Sequence, residues 1–234
     1  MVRKFPLVLA LLFVFAAPAW ADFAAGQAAY KRGDYKTAIR EFTAEANRGN
    51  ADAQSNLGIM YGKGLGVARN YAEAAKWFRK AAAQGHAAAQ NILGVMYNNG
   101  QGVTRNYAEA LKWFHKAAEQ GNAAAQLNLG VIYADGQGAI TRNDAEAMRW
   151  YRKASEQGDA DAQFRLGAMY VIGRSVPRNL VCAYMWISLA AAQGNSSAAE
   201  GADDVEKQMT PADVSRAQGL AAAWKPGGTA CRPR

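Results

Sequence analysis

The residues able to do chemistry are few and scattered. The chain has two histidines, His86 and His115, and two cysteines, Cys182 and Cys231, in 234 residues. A four-cysteine zinc site is excluded, and two histidines leave little for a histidine-based metal centre. Neither histidine has a Ser or Cys neighbour to activate as a nucleophile. Gly62 to Gly66, Gly100-Gln101-Gly102 and Gly136-Gln137-Gly138 have the composition of phosphate-cradling loops. None follows a strand pattern, and none carries the Lys-Ser/Thr of a P-loop. The expectation is a protein without catalytic residues, cofactor or metal.

The composition is that of a folded chain, with 50% hydrophobic residues and a formal charge of +8. Arg3 and Lys4 precede an apolar run from Phe5 to Ala17, and Ala19-Trp20-Ala21 supplies small residues at a cleavage position. The run is short for a membrane helix, which needs about 20 apolar residues. Residues 1–21 therefore read as a signal peptide, whose removal lowers the charge from +8 to +6. The expectation is export, to the periplasm first and to the medium second, with no membrane span after cleavage. Disulfides persist in such compartments.

The elements that must position any site repeat along the chain. Leu57-Gly58-x-x-Tyr61 recurs as Leu93-Gly94-x-x-Tyr97, Leu129-Gly130-x-x-Tyr133 and Leu166-Gly167-x-x-Tyr170. Trp77, Trp113, Trp150 and Trp186 keep step, as do Gly85, Gly121, Gly158 and Gly194. The period is 36 residues, with one of 37 where Gly138 to Asn143 carries an insertion. Each unit reads as two helices. The first places Ala53, Leu57 and Tyr61 on one face. The second opens at Asn70, Asn106, Asn143 and Asn179, which are good caps, and ends at a glycine suited to the left-handed position. Asn50, Asn122 and Asp159 cap the next first helix. Gly58 and its repeats allow a close helix crossing, with Trp77 and its repeats expected as the bulk beneath it. One pair cannot bury this face alone, but a stack can.

The pattern Ala-x-Ala-Gln-x-x-Leu-Gly-x-x-Tyr, followed by Gly-x-Gly-Val and Asn-Tyr-x-Glu-Ala-x-Lys-Trp, resembles the Sel1-like repeat, a relative of the tetratricopeptide repeat. The resemblance implies an all-α, right-handed α-solenoid of stacked antiparallel helix pairs. Residues 50–195 hold four such units, and residues 22–49 look like a shorter tetratricopeptide-type unit. Residues 196–224 read as two capping helices, the last opened by Thr210-Pro211, and 225–234 as a flexible tail. The resemblance also implies an exported adaptor that binds a protein or peptide, in envelope regulation. The cysteine pair per repeat of relatives linked to β-lactam binding is absent, and so is any Ser-x-x-Lys.

Comparing each residue with its own repeat column separates candidate sites from scaffold. His115 shares a column with Arg79 and Arg152, read as exposed, and His86 takes the cap position held elsewhere by Asn or Asp. On the inner face of the first helices, one column holds Ser55, Asn91, Leu127 and Phe164, and a second holds Ile59, Val95, Val131 and Ala168. These vary while the stacking residues repeat, so they are the candidate partner-binding positions, with Phe164 equally readable as core beneath the terminal helices. Lys63, Asn99, Asp135 and Ile172 stand at the loop edge. Arg69, Arg105, Arg142 and Arg178 form a second candidate, a stripe for an anionic glycan, although a helix N-terminus does not favour cations. No nucleic-acid motif is present. Cys182 falls in a column of Glu73, Glu109 and Glu146, read as exposed. The eight residues from Trp224 can reach ~26 Å, so a disulfide from Cys182 to Cys231 is expected.

Overall fold

The computed structural model describes residues 20–138, 140–228 and 231. Most of the leader reading, residues 1–19, lies outside them. Among the described residues there are helices and no strand. The first pair is α1 (Trp20–Lys31) and α2 (Tyr35–Asn47). Four longer-looped pairs follow: α3 (Ala51–Lys63) with α4 (Tyr71–Ala83), α5 (Ala87–Asn99) with α6 (Tyr107–Glu119), α7 (Ala123–Asp135) with α8 (Asp144–Glu156), and α9 (Ala160–Ile172) with α10 (Leu180–Ala192). The chain closes with α11 (Ser196–Glu206) and α12 (Pro211–Ala223). From α1 to α11 each helix packs on its chain neighbours; α12 packs instead on α10, and α11 also touches α9. The result is an all-α solenoid of repeats.

Local chemistry sets these boundaries. The side chains of Asn70, Asn106, Asn143 and Asn179 accept backbone N–H bonds at the starts of α4, α6, α8 and α10. Asn50, Asn122, Asp159 and Asn195 do the same for α3, α7, α9 and α11. His86 also caps, its Nδ1 accepting from Ala89 N–H at 3.1 Å. Each cap satisfies a donor that the helix itself leaves orphaned.

The close crossing is real, but the bulk beneath it belongs to the residue after the tryptophan. A Cβ placed on Gly58 or Gly94 would stand 2.8 or 2.7 Å from the ring of Phe78 or Phe114. Gly130 faces Tyr151 and Gly167 faces Ile187 in the same way, and in the first pair Gly26 faces Phe42. Trp77 instead packs on the cluster formed by α1, α2 and α3, and Trp113 and Trp150 pack on the matching clusters of α4 with α5 and of α6 with α7. Adjacent helical residues point about 100° apart, so Phe78 lies against the glycine of its own pair while Trp77 turns to the cluster on the N-terminal side.

A ladder of buried amides runs the length of the stack. Gln54, Gln90, Gln126 and Gln163 donate Nε2–H to the carbonyls of Ala46, Ala82, Ala118 and Ser155 at 3.0–3.2 Å. Their Oε1 atoms accept from Gln84, Gln120, Gln157 and Gln193 at 2.7–2.8 Å. Each glutamine thus ties the second helix of one pair to both helices of the next.

The C-terminal end is closed rather than loose. Cys182 and Cys231 are joined by a disulfide, with Cα atoms 5.4 Å apart across 49 residues. Gly227 N–H donates to Glu156 O at 2.7 Å, and the Trp224 ring lies edge-on to Trp186 at 5.9 Å. Cys182 is fully buried, whereas Glu73, Glu109 and Glu146 of its column are half-buried; none of the four is in the exposed setting expected from sequence.

Candidate functional site

The side chains on the first-helix face surround two cavities in repeat register. The first, about 200 Å³, has Gly58, Ile59 and Gly62 from α3, Phe78 from α4, and Ile92 and Met96 from α5. Lys63, at the end of α3, stands at its edge. The second, about 140 Å³, lies one repeat on, where Val95, Phe114 and Ile132 take the places of Ile59, Phe78 and Met96. Its other positions change class: Asn98 for Gly62, Asn99 for Lys63 and Asn128 for Ile92. Gln137 matches Gln101 in the adjoining loops. One register further, Ala134, Asp135 and Arg165 occupy those three positions, and the Arg165 guanidinium lies 6.0 Å from the centre of the Tyr151 ring.

The stacking residues of this face therefore keep their character while three lining columns change class: Ile92, Asn128 and Arg165 run from apolar through amide to charged, Gly62, Asn98 and Ala134 alternate small and amide, and Lys63, Asn99 and Asp135 pass from cation through amide to carboxylate. The column of Lys63, Asn99, Asp135 and Ile172 is visible in the sequence as a loop edge. The columns of Gly62 and Ile92 were missed, because the helical spacing alone does not show which half-buried side chains line a gap. The glutamine that follows Ala-x-Ala in every repeat was the signal for the amide ladder, since a polar residue kept at a core-facing position needs partners.

Several candidate positions fall differently from expectation. Ser55 is 5% exposed and presents nothing to a partner. Ile59, Val95 and Val131 are half-buried cavity-lining residues. Asn91 accepts from Asn128 Nδ2 at 3.0 Å beside the second cavity. Leu127 and Phe164 pack on the C-terminal core, and Phe164 lies against Gly201 of α11, so the terminal helices cover it. Ala168 is half-buried.

The arginine column is not uniform. The guanidinium groups of Arg69 and Arg105 lie 5.5 Å from the ring centres of Tyr71 and Tyr107. Arg142 makes two bonds to Asp144, at 2.9 and 3.0 Å, which neutralise it and hold the Asp144 carboxyl below its usual range. Arg178 bonds Val171 O and Gln208. Four equivalent free cations are not what this face offers.

His115 is half-buried rather than exposed. Its Nε2 lies 3.1 Å from the Tyr133 hydroxyl, and its ring stands edge-on to Trp150. Arg79 and Arg152 make the matching bonds to the hydroxyls of Tyr97 and Tyr170. Burial, assisted by Arg149 and opposed by Glu119, pushes the His115 pKa down. His86 pairs through Nε2 with Asp52 at 3.1 Å. Among the described residues no group of three or more His, Cys, Asp or Glu could hold a metal ion.

Tandem pairs stacked by repeated small and aromatic residues, with a variable face and no assembled catalytic group among the described residues, define a helical-repeat scaffold. The Sel1 repeat matches residues 51–86, 87–122, 123–159 and 160–195, and the chain belongs to the Sel1 repeat family. No curated protein matches it. Among solved structures, a protective antigen of uropathogenic Escherichia coli strains that displays an SLR fold is 34% identical, with a TM-score of 0.75. The match covers 88% of this chain and 46% of the antigen, so the chain spans about half that protein's length. A Sel1 repeat protein from Oxalobacter formigenes is 35% identical at a TM-score of 0.75, covering 85% of this chain and 79% of the other. An immunity protein from Pseudomonas aeruginosa, 20% identical at a TM-score of 0.52 over 85% of this chain and 80% of its own, shares the fold. Sel1 repeat proteins are generally protein-interaction scaffolds, and their fold is typically non-catalytic. Among the described residues no helix is long and apolar enough to cross a membrane.

Proposed function

We propose that the protein is an exported adaptor that holds a protein or peptide partner on the face of its first helices, in envelope regulation. The observation that carries this reading is the pair of cavities in repeat register. The residues that stack the repeats recur, while those that line the gaps change chemical class, as a surface that selects a partner position by position requires. Export rests on the leader pattern of Arg3, Lys4 and Phe5 to Ala17 and on a disulfide suited to an oxidising compartment.

The test is site-specific photo-crosslinking in cells, with the crosslinking residue placed at Ile59, at Val95, or at Lys76 on α4 as a control. Adducts are expected from Ile59 and Val95 and not from Lys76. Adducts from Lys76 alone would move the interaction off this face and overturn the reading. The glycan alternative predicts salt-sensitive retention on an anionic polysaccharide that is lost on Arg69→Gln/Arg105→Gln. Nothing in the arrangement of Arg142 and Arg178 favours it.

A further inference from the structure

The C-terminal tail is itself a segment seated on the solenoid. From α12 it turns at Lys225 to Gly228, where Gly228 N–H donates to Lys225 O at 2.9 Å, and it runs on to Cys231. Its seat is the furrow between the second helices α8 and α10. Gly227 N–H donates to Glu156 O at the end of α8, Trp224 stands against Trp186 of α10, and Cys231 is bonded to Cys182 at the start of α10. Between these points the Tyr170 hydroxyl accepts from Arg152 at 3.0 Å and donates to Cys231 O at 3.4 Å. Tyr170 and Trp186 are buried there. The furrow between α4 and α6 has the same make and is open. Arg79, Ala83, Tyr97 and Trp113 hold in it the places of Arg152, Glu156, Tyr170 and Trp186. Arg79 bonds the Tyr97 hydroxyl at 3.1 Å in an exposed contact, and Tyr97 and Trp113 are only half-buried. Among the described residues the Tyr97 hydroxyl proton has no acceptor, and Ala83 O, on an exposed residue, has no donor.

We infer that the furrow between α4 and α6 takes a non-helical acidic segment of a partner protein, held as the tail is held between α8 and α10. The main chain of that segment gives an N–H to Ala83 O and a carbonyl to the Tyr97 hydroxyl, and its carboxylates meet Arg79 and Lys116. One peptide suits both main-chain points, since the tail meets the matching pair with Gly227 and Cys231, four residues apart. Charge selects the occupant. Between α8 and α10, Glu156 offsets Arg152 and Leu189 stands where α6 has Lys116, so a tail carrying Lys225 is accepted. Between α4 and α6, Ala83 replaces the glutamate, and Glu109 is taken by Lys112 at 3.4 Å. Arg79 and Lys116 pair with no carboxylate among the described residues; the one bonds a tyrosine and the other lies over Trp113. The basic tail of a second copy is therefore disfavoured and an acidic segment favoured. The furrow between α6 and α8 is a poorer seat, because Trp150 is buried and His115 replaces the arginine. This surface lies on the second helices and does not rest on the reading of the first-helix face. With both, an adaptor has the two holds it needs to join two proteins.

Three end-blocked, dye-labelled peptides that keep the tail's Pro-Gly-Gly turn test this by fluorescence anisotropy at low salt. The first is Ser-Glu-Pro-Gly-Gly-Thr-Ala-Glu, and the second has lysine for both glutamates. The third is the acidic peptide with sarcosine for its first glycine, which keeps the charge and loses the N–H. The acidic peptide is expected to bind with a Kd on the order of 100 μM. The lysine peptide should bind about tenfold more weakly, and the sarcosine peptide about fivefold more weakly for the loss of one hydrogen bond. Tyr97→Phe should cost a similar factor and Arg79→Gln about tenfold, each with the backbone NMR spectrum of a folded chain. The acidic peptide should also shift the Trp113 indole and Gln84 amide signals. No binding of the acidic peptide, equal binding of the sarcosine peptide, or indifference to both substitutions overturns the inference. Equal or tighter binding of the lysine peptide overturns it too, the tighter case giving the furrow to the tail of a second copy. Failure here leaves the first-helix reading standing, and loss of the Ile59 and Val95 crosslinks leaves this surface standing.

Discussion

His115 and Arg79 do the same work in successive repeats, each reaching a tyrosine hydroxyl 18 residues further on. They differ in that His115 can lose its charge. Burial lowers its pKa in the folded protein below the ordinary value of 6.5. As pH falls through that range the unfolded chain takes up the proton first, so stability present above about pH 6.5 is lost on acidification. Acidification toward pH 5 should therefore lower the melting temperature more in the wild type than in His115→Gln, as scanning calorimetry can measure. A second residue-scale prediction concerns Ser175, which has φ of +59° where Gly66, Gly102 and Gly138 hold that position in the other repeats. A side chain there strains the backbone, by about 1–2 kcal/mol. Part of any relief is offset by the greater freedom of an unfolded glycine. Ser175→Gly should therefore stabilise by up to about 1 kcal/mol in urea denaturation.

Between elements, two contacts set the stack. Gly94 lets α5 lie on the Phe114 ring of α6, so Gly94→Ala should cost about 1–3 kcal/mol by overpacking. Phe114→Leu in the same chain should make the pair cost less than the sum of the two single changes, because the smaller side chain yields the space. Additive losses in a double-mutant cycle would show that the close approach is not the cause. Gln126 joins α7 to the end of α6 and to the end of α8. Gln126→Leu leaves the Ala118 carbonyl without its side-chain donor and should cost about 1–3 kcal/mol. Trp77, by contrast, has Lys80 over its ring at 4.0 Å, and Trp113 has Lys116 at 4.7 Å, so the outer edge of each contact is covered by an ammonium group.

At the scale of the whole molecule, a solenoid must end its core. Among the described residues no lysine lies over Trp186; Trp224 takes that place, carried there by α12 and held by the Cys182–Cys231 disulfide. Closing a loop of 49 residues stabilises by about 4 kcal/mol on the chain-entropy account. Cys182→Ala/Cys231→Ala should unfold at markedly lower urea and show a changed tryptophan emission as Trp224 leaves Trp186. A thiol assay on the purified protein should find no free thiol, and two free thiols would contradict this closure. Because each repeat touches mainly its neighbours, that loss should be felt first in α9 to α12, as hydrogen exchange along the chain would reveal.

The sequence by itself determined the period, the helix pairs and their caps, because spacing and N-cap chemistry act within a few residues and need no distant partner. It also marked Gly58 and its repeats as a close approach. It did not tell Trp77 from Phe78 as the side chain beneath the crossing, because that depends on which cluster each ring turns toward. It gave Ser55, Ile59 and Val95 alike as candidate partner-binding positions, and the packing buries Ser55. The burial of Phe164 beneath α11, the pairing of Arg142 with Asp144 and the seating of the tail on Tyr170 were decided only by tertiary structure. Each depends on what a second segment brings alongside, and a repeat column records the place of a residue in its own unit but not the company it keeps.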